Sequence, residues 1–444
     1  MVEETVRKVG AQIERYLKQS QKGNTAALDQ RAPEEIAKDL QLKKRFKNGF
    51  KDTEDLLDFT ATYLTHTNHL NHPHYMGHQV AVPQDLSGIP EFIHGSINNP
   101  SSLYEMGPVG GTLEGFMINW MLEKVGWEKE KDAYNFKFIP GQPSGLLTHG
   151  GSVANLTALA AARAAIAPEA WTEGNPHNLV VIGAQTAHYS IARALSILGL
   201  GANSFLSVDV DEKEVLQMGA LKNVYKKAIA DGKKVMCIVA NACATSTGLF
   251  DPIAAMGDFC EKHNVWFHVD GAHGGAALAA PNNKHHLNGI HKANSLIWDA
   301  HKMMRVPALC TAVLFKDFTH QAGAFQQKGS YVFHDDEVVG MDSMPYTIEC
   351  TKSALGTKLF WAFALEGEEA IGAYVDHTFT LAKEFYTLLK DHPDFEVPYT
   401  PESNILCFRY TRFGEDDAFQ RKLRYALIDD KEFYLTSCIM NGKR

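Results

Sequence analysis

Between about residues 75 and 345, short apolar runs alternate with stretches of helical pattern, and this alternation limits the possible fold more than any other feature of the chain. Residues 179–183, 235–240, 265–269, 295–298 and 308–315 read as strands, with helices expected over 154–167, 188–199 and 252–263. Such alternation calls for an α/β fold: a mainly parallel sheet wrapped by helices. Sheets of that kind bind ligands outside the carboxyl ends of their strands, so polar residues that close the apolar runs are the first candidates for a site.

Two such residues are Asp270, which ends Val265-Trp266-Phe267-His268-Val269, and Lys302, which follows Ser295-Leu296-Ile297-Trp298 and is flanked by apolar residues on both sides. A lone ammonium in apolar surroundings must be paired, neutralised or used covalently. Either residue alone would pass for a loop lysine or a cap. Together they suit pyridoxal phosphate, whose aldehyde condenses with a lysine amine and whose ring nitrogen keeps its proton beside an acidic partner. Gly150-Gly151-Ser152 precedes the alanine-rich helix that starts near Asn155, with Ser152 as its expected cap. Glycines at a helix N-terminus let the backbone N–H groups approach a phosphate. His188 follows the apolar run 179–183 and so stands at a strand's carboxyl end.

The ordered blocks HPHYMGHQ (72–79), YEMGPVGG (104–111), THGGSVANLTALAAAR (148–163), AHYSIARALSILGLG (187–201), ANACATSTGLFDP (240–252), HVDGAHGG (268–275) and NSLIWDAHKMM (294–304) carry a wider likeness. Through them the chain resembles the pyridoxal-phosphate-dependent group II amino-acid decarboxylases, in the branch of glutamate and cysteine sulfinate decarboxylases. The resemblance implies the aspartate-aminotransferase-like fold, fold type I, in a large domain joined to N-terminal helices and a small C-terminal α/β domain. It implies that Gly151, Ser152 and His301 hold the cofactor phosphate, that His188 and Ala272 pack on the two faces of the ring, and that Thr245 lies beside it. The block Ala242-Cys243-Ala244-Thr245 departs from relatives, which carry a glycine and a second threonine there. Tyr331 is the candidate proton donor from a mobile loop, with Tyr346 in reserve. His78, Gln79 and Arg305 are the candidate substrate contacts. The implied reaction is α-decarboxylation of an acidic L-amino acid such as glutamate, aspartate or cysteine sulfinate. Diaminobutyrate or an aromatic amino acid as substrate, and another fold type I lyase reaction, stay open. Relatives pair two chains around the site, which implies a homodimer.

Composition bounds these expectations. The net charge of −9 and the lack of a basic block argue against nucleic acid, and no segment approaches the ~20 apolar residues of a membrane span. Seven cysteines without a CxxC pair, and no secretory leader, suit reduced thiols in a cytoplasmic protein. His66, His69, His72, His74 and His78 crowd together, and a histidine-metal protein is therefore a rival reading. Pro73 interrupts that pattern, HExxH is missing and no carboxylate or cysteine accompanies it at metal-site spacing, so no metal is expected. A catalytically silent scaffold is a further rival, against which Lys302, Asp270 and His188 stand together.

The expected organisation is a helical segment over 1–75, a cofactor-binding domain over 76–349 and a small domain over 350–444. Residues 1–58 read as two or three amphipathic helices, one starting at Pro33-Glu34-Glu35. Asn404–Tyr410 and Phe433–Thr436 read as strands. Relatives continue beyond the latter with a further strand and helix, so the small domain is expected to be truncated or abbreviated.

Overall fold

The computed structural model describes residues 2–127, 134–325, 342–414 and 416–444. The chain forms two compact units, Met1–Val82 with Arg409–Arg444, and Pro83–Phe408.

The larger unit is built on a seven-stranded sheet. Its strands are β1 (Ser144–Thr148), β2 (Leu179–Ala184), β3 (Phe205–Val208), β4 (Lys234–Asn241), β5 (Trp266–Asp270), β6 (Ser295–Asp299) and β7 (Thr311–Phe315), in the order β1-β7-β6-β5-β4-β2-β3. All adjacent pairs are parallel except those of β7, which runs antiparallel to β6 and to β1. The mainly parallel sheet expected from the apolar runs is therefore present. Every residue of β1, β2, β5, β6 and β7 is buried, which explains why these runs show no polar alternation.

Successive strand residues feed opposite apolar layers. Ile182, Val269, Leu296, Trp298 and Leu314 enter one, with the helices Pro108–Val125 and Leu355–Glu366. Val181, Val239, Ile297, Val313 and Phe315 enter the other, against the helix Gly151–Ile166. Burying each large side chain contributes about 1.5–3 kcal/mol, so the double layer fixes the register of every strand. With the register set, Asn241 pairs Asp270 and Asp270 pairs Ile297, which gathers the polar strand ends at one edge.

Among the described residues the smaller unit holds five helices, Val2–Gln21, Pro33–Asp39, Leu42–Asn48, Thr53–Thr65 and Asp417–Asp430, the second starting at the expected proline. Its two-residue strand Tyr75–Met76 runs parallel to Tyr434–Leu435. The strand expected over Phe433–Thr436 is thus shorter, and of Asn404–Tyr410 only Arg409–Tyr410 is strand. Among the described residues no helix is long and apolar enough to cross a membrane.

Candidate active site

Strand ends supply the site's side chains. Asp270 is the last residue of β5 and Asp299 the last of β6; both carboxylates are buried. Lys302 lies three residues past β6, in the turn toward β7, and its amine sits 3.3 Å from Asp299 Oδ2, with its side chain 19% exposed. Asp299 is held from its other side by the Thr311 hydroxyl, which donates to Oδ1 at 2.7 Å. A half-paired, partly open amine of this kind can condense with a carbonyl compound that enters from solvent.

The helix Gly151–Ile166 begins at the same place. Its cap is Gly150, in the left-handed region at φ 109°, and no side chain caps it. Ser152 is therefore not the cap that the sequence led us to expect; it sits exposed in the first turn, with its hydroxyl left for a ligand. A Cβ on Gly151 would lie 3.3 and 3.4 Å from the two Asp299 carboxylate oxygens. That space suits glycine and leaves the helix N-terminus open beside the lysine.

His188 is half-buried four residues past β2. Its Nδ1 takes a hydrogen bond from the Ser190 backbone N–H at 3.3 Å and lies 2.8 Å from Ser190 Oγ. Burial lowers its pKa below the ordinary histidine value; the Asp270 charge opposes that shift and Lys302 adds to it. Behind Asp270, the Asn155 amide donates to Oδ2 at 2.9 Å and the Ala272 backbone N–H to Oδ1 at 3.2 Å. These bonds hold the carboxylate in place as an acceptor, which is what a protonated ring nitrogen requires of it. The amine, the carboxylate and the helix N-terminus thus match the aldehyde, ring nitrogen and phosphate of pyridoxal phosphate.

The other expected residues are distributed more widely. Ala272 packs half-buried beside Asp270 and passes its carbonyl to the Asp299 N–H at 3.1 Å. His301 is buried, with Nδ1 3.0 Å from the Cys310 carbonyl oxygen and Nε2 3.8 Å from Asp299 Oδ2. Thr245 is exposed in the turn after β4. Arg305 has a positive φ of 61°, stacks its guanidinium over Tyr374 at 4.8 Å and donates to the Pro83 carbonyl at 3.4 Å. His78 and Gln79 belong to the other unit, where the His78 Nε2 lies 2.8 Å from the Tyr434 hydroxyl. Tyr331 lies outside the described residues. Tyr346 is wedged between Phe138 and Phe318, each at 4.9 Å, so its ring is packed and not on a loop tip.

The histidine-rich segment is engaged in local contacts: His66 lies 3.1 Å from Asp39, His72 Nδ1 takes the His74 N–H, and His74 stacks on Phe433 at 4.1 Å. Among the described residues no group of three His, Cys, Asp or Glu is placed to hold a metal ion.

Sequence reasoning missed Asp299, Asn155, His268 and Ser190. Asn155 and His268 carried a readable signal, since each is a polar residue inside an otherwise apolar buried element.

Comparison with known proteins agrees with this geometry. Residues 35–411 match the family model described as the pyridoxal-dependent decarboxylase conserved domain. The acidic amino acid decarboxylase GADL1 of Homo sapiens is 28% identical over 393 residues, which covers 87% of this chain and 72% of that protein. Among solved structures, mouse CSAD superposes with a TM-score of 0.88 at 22% identity, over 100% of this chain and 92% of that one. Catharanthus roseus tryptophan decarboxylase in complex with L-tryptophan gives a TM-score of 0.85 at 18% identity, over 99% and 91%. The two structural likenesses establish the fold.

Proposed function

The chain belongs to the pyridoxal-dependent decarboxylase family, amino-acid carboxy-lyases that use pyridoxal phosphate, and from that premise we propose that its substrate is an acidic L-amino acid: glutamate, aspartate or cysteine sulfinate. The observation that carries this choice is the similarity along 87% of the chain to a human relative named for acidic amino acids. When bound, the cofactor supplies an electron sink for the carbon that loses its carboxylate.

The chain's own residues have separable tasks in this reading. Lys302 offers the amine that holds the cofactor, and Asp299 orients that amine from 3.3 Å. Asp270 would pair with the ring nitrogen and keep it protonated. Gly151 and Ser152 would receive the phosphate, with Thr245 and His301 around the cofactor. His188 and Ala272 would pack against the ring. Arg305, whose planar guanidinium suits a carboxylate or sulfinate, is the proposed contact to the substrate side chain. An aromatic substrate would lack the charge-assisted hydrogen bonds that an acidic one gains there.

Carbon dioxide release from glutamate, aspartate, cysteine sulfinate, diaminobutyrate, tyrosine and tryptophan under matched conditions tests the substrate class. The three acidic compounds should lead. A preference for diaminobutyrate or either aromatic amino acid would overturn the acidic assignment and leave the decarboxylase standing.

The working form in this reading is a homodimer. The helix Ile89–Ile97 exposes Phe92, Ile93 and Ile97, and Met106 and Val109 are exposed as well. Exposed large apolar side chains of this kind suit burial against a second copy of the chain. Sedimentation at working concentration should find a dimer; a fully active monomer would contradict it. The cysteines are all free, which suits the cytoplasm as its location.

A further inference from the structure

Behind the strand ends runs a chain of buried polar side chains that the reaction itself does not require. Asn155 is 1% exposed, Ser190 1%, His268 and Ser295 0%. The Trp266 indole N–H donates to Ser295 Oγ at 2.9 Å, and Ser295 Oγ lies 2.8 Å from His268 Nδ1. His268 Nε2 lies 2.9 Å from Asn155 Oδ1. The Asn155 amide nitrogen then reaches two acceptors, Asp270 Oδ2 at 2.9 Å and Ser190 Oγ at 2.8 Å.

Every proton in this chain can be placed by elimination. The Asp270 carboxylate only accepts, so the amide of Asn155 must present its nitrogen to it and its oxygen to His268. His268 Nε2 therefore carries the hydrogen and donates. Ser295, already an acceptor from Trp266, gives its hydroxyl hydrogen to His268 Nδ1. At the far end the Ser190 backbone N–H points at His188 Nδ1, so that nitrogen has no proton. The second amide hydrogen of Asn155 occupies a lone pair of Ser190 Oγ and turns the Ser190 hydroxyl hydrogen toward the same Nδ1. His188 then holds its single hydrogen on Nε2.

We propose that Asn155 is a positioning residue that sets two groups with one amide: it holds the Asp270 carboxylate as an acceptor and, through Ser190, keeps His188 neutral with its hydrogen on Nε2. His268, backed by Ser295 and Trp266, fixes which way that amide faces. Without His268 the Asn155 oxygen loses its donor and the buried amide is held only at its nitrogen end, so it can shift away from Asp270 and Ser190. Without Asn155 the Ser190 hydroxyl is free to turn and accept a hydrogen from His188 Nδ1; the Ser190 backbone N–H at 3.3 Å still faces that nitrogen, so the doubly protonated ring is opposed less strongly than before. The charges that act on His188 are Asp270 and Asp299, which favour its protonation, and Lys302 and Arg193, which oppose it. The ring of Tyr189 lies against it at 4.1 Å. The hydrogen-bond chain acts on top of these charges and in the direction of neutrality.

This proposal rests on the assignment of Asp270 and His188 to the cofactor site, but its test reads protonation and not turnover, so each can fail alone. The full chain, labelled with ¹⁵N at histidine, is titrated with pyridoxal phosphate bound and again after its removal, with the His188 signals assigned through H188Q. Asn155→Ala, which alters no atom in contact with His188, should raise the pH at which His188 protonates and move its Nδ1 signal toward the protonated position. Ser190→Ala should do the same. His268→Met, which has no donor for Asn155, should shift His188 in the same sense, whereas His268→Gln, whose amide can replace the Nε2–H, should restore the original titration. An unchanged His188 titration in N155A overturns the proposal. Should N155A not fold, equal titrations in H268M and H268Q overturn it, as does a His188 in the unaltered protein with its hydrogen on Nδ1.

Discussion

Two lysines of the larger unit each lie beside a buried carboxylate, and they could hardly be treated more differently. Lys352 is sealed: its side chain is 0% exposed, its ammonium lies 2.5 Å from Glu114 Oε1, and it donates to the Leu147 carbonyl at 3.0 Å. Glu114 in turn accepts the Leu147 N–H at 2.9 Å, so one carboxylate ties β1, the helix Pro108–Val125 and the segment before Leu355–Glu366 together. Lys302 has one carboxylate neighbour at 3.3 Å and keeps 19% of its side chain open. Burial alone does not mark a reactive lysine. A lysine whose ammonium is sealed against the fold is structural, and one that is held loosely and left reachable can react.

The largest expected effect separates the two by chemistry. Lys302→Ala should drive carbon dioxide release to the assay floor and abolish the visible absorbance of the purified protein, while the denaturation midpoint stays close to that of the unaltered chain. Borohydride reduction followed by peptide mapping should place a pyridoxyl label on Lys302. A label on Lys352, or on any other lysine, would reverse the comparison.

Lys352 should fail in the opposite way. Lys352→Met leaves Glu114 as a buried, unpaired carboxylate, and removal of one partner of a buried pair costs about 3–5 kcal/mol. Denaturant unfolding should show that loss, and the fraction that remains folded should still bind the cofactor. Adding Glu114→Gln removes the orphaned charge and should return a good part of the stability. A single substitution that costs under about 1 kcal/mol would show that the pair is dispensable.

The sheet beneath these lysines was legible in the sequence. Runs such as Leu179–Ala184 and Thr311–Phe315 are buried on both faces, so they read as unbroken apolar stretches, and the residues that close such runs were the ones to ask about. The strands Ser144–Thr148 and Phe205–Val208 escaped notice because glycine, serine and threonine dilute the first and the second is only four residues long. The run Asn404–Phe408 misled in the other direction. It is apolar, yet its Asn404 side chain bonds His273 at 2.7 Å and the Cys407 thiol faces the Ser246 carbonyl at 3.2 Å, contacts that depend on partners more than a hundred residues away. Asp299 lay in plain view inside the block 294–304, and Lys352 stood outside every block. Their pairings could not be read, since a carboxylate and an ammonium look alike in sequence whether they meet each other, a ligand or water.

Acid should reveal a smaller difference, because the surroundings of Lys302 contain wholly buried histidines. Burial lowers His268 and His273 to about 4, against an ordinary value of 6.5. Between those limits the unfolded chain binds a proton at each that the folded chain refuses, so stability is complete above about pH 6.5 and declines as pH falls toward 4. Asp251 works against this: burial raises it from 3.8 to about 6, so the folded chain takes up its proton first and gains stability as pH falls through the same range. Half-buried His286 is lowered to about 4 as well, so three histidines against one carboxylate leave a net uptake of about two protons on unfolding. The slope is then on the order of 2–3 kcal/mol per pH unit at most, about half of it carried by each net proton. His273→Gln keeps a donor for the Asn404 oxygen and cannot titrate, so it should remove about half of that slope when unfolding is measured at pH 7, 6, 5 and 4. A slope unchanged by H273Q would mean that His273 is protonated as readily in the folded chain as in the unfolded one, and that the buried wall beside Lys302 admits more water than its packing implies.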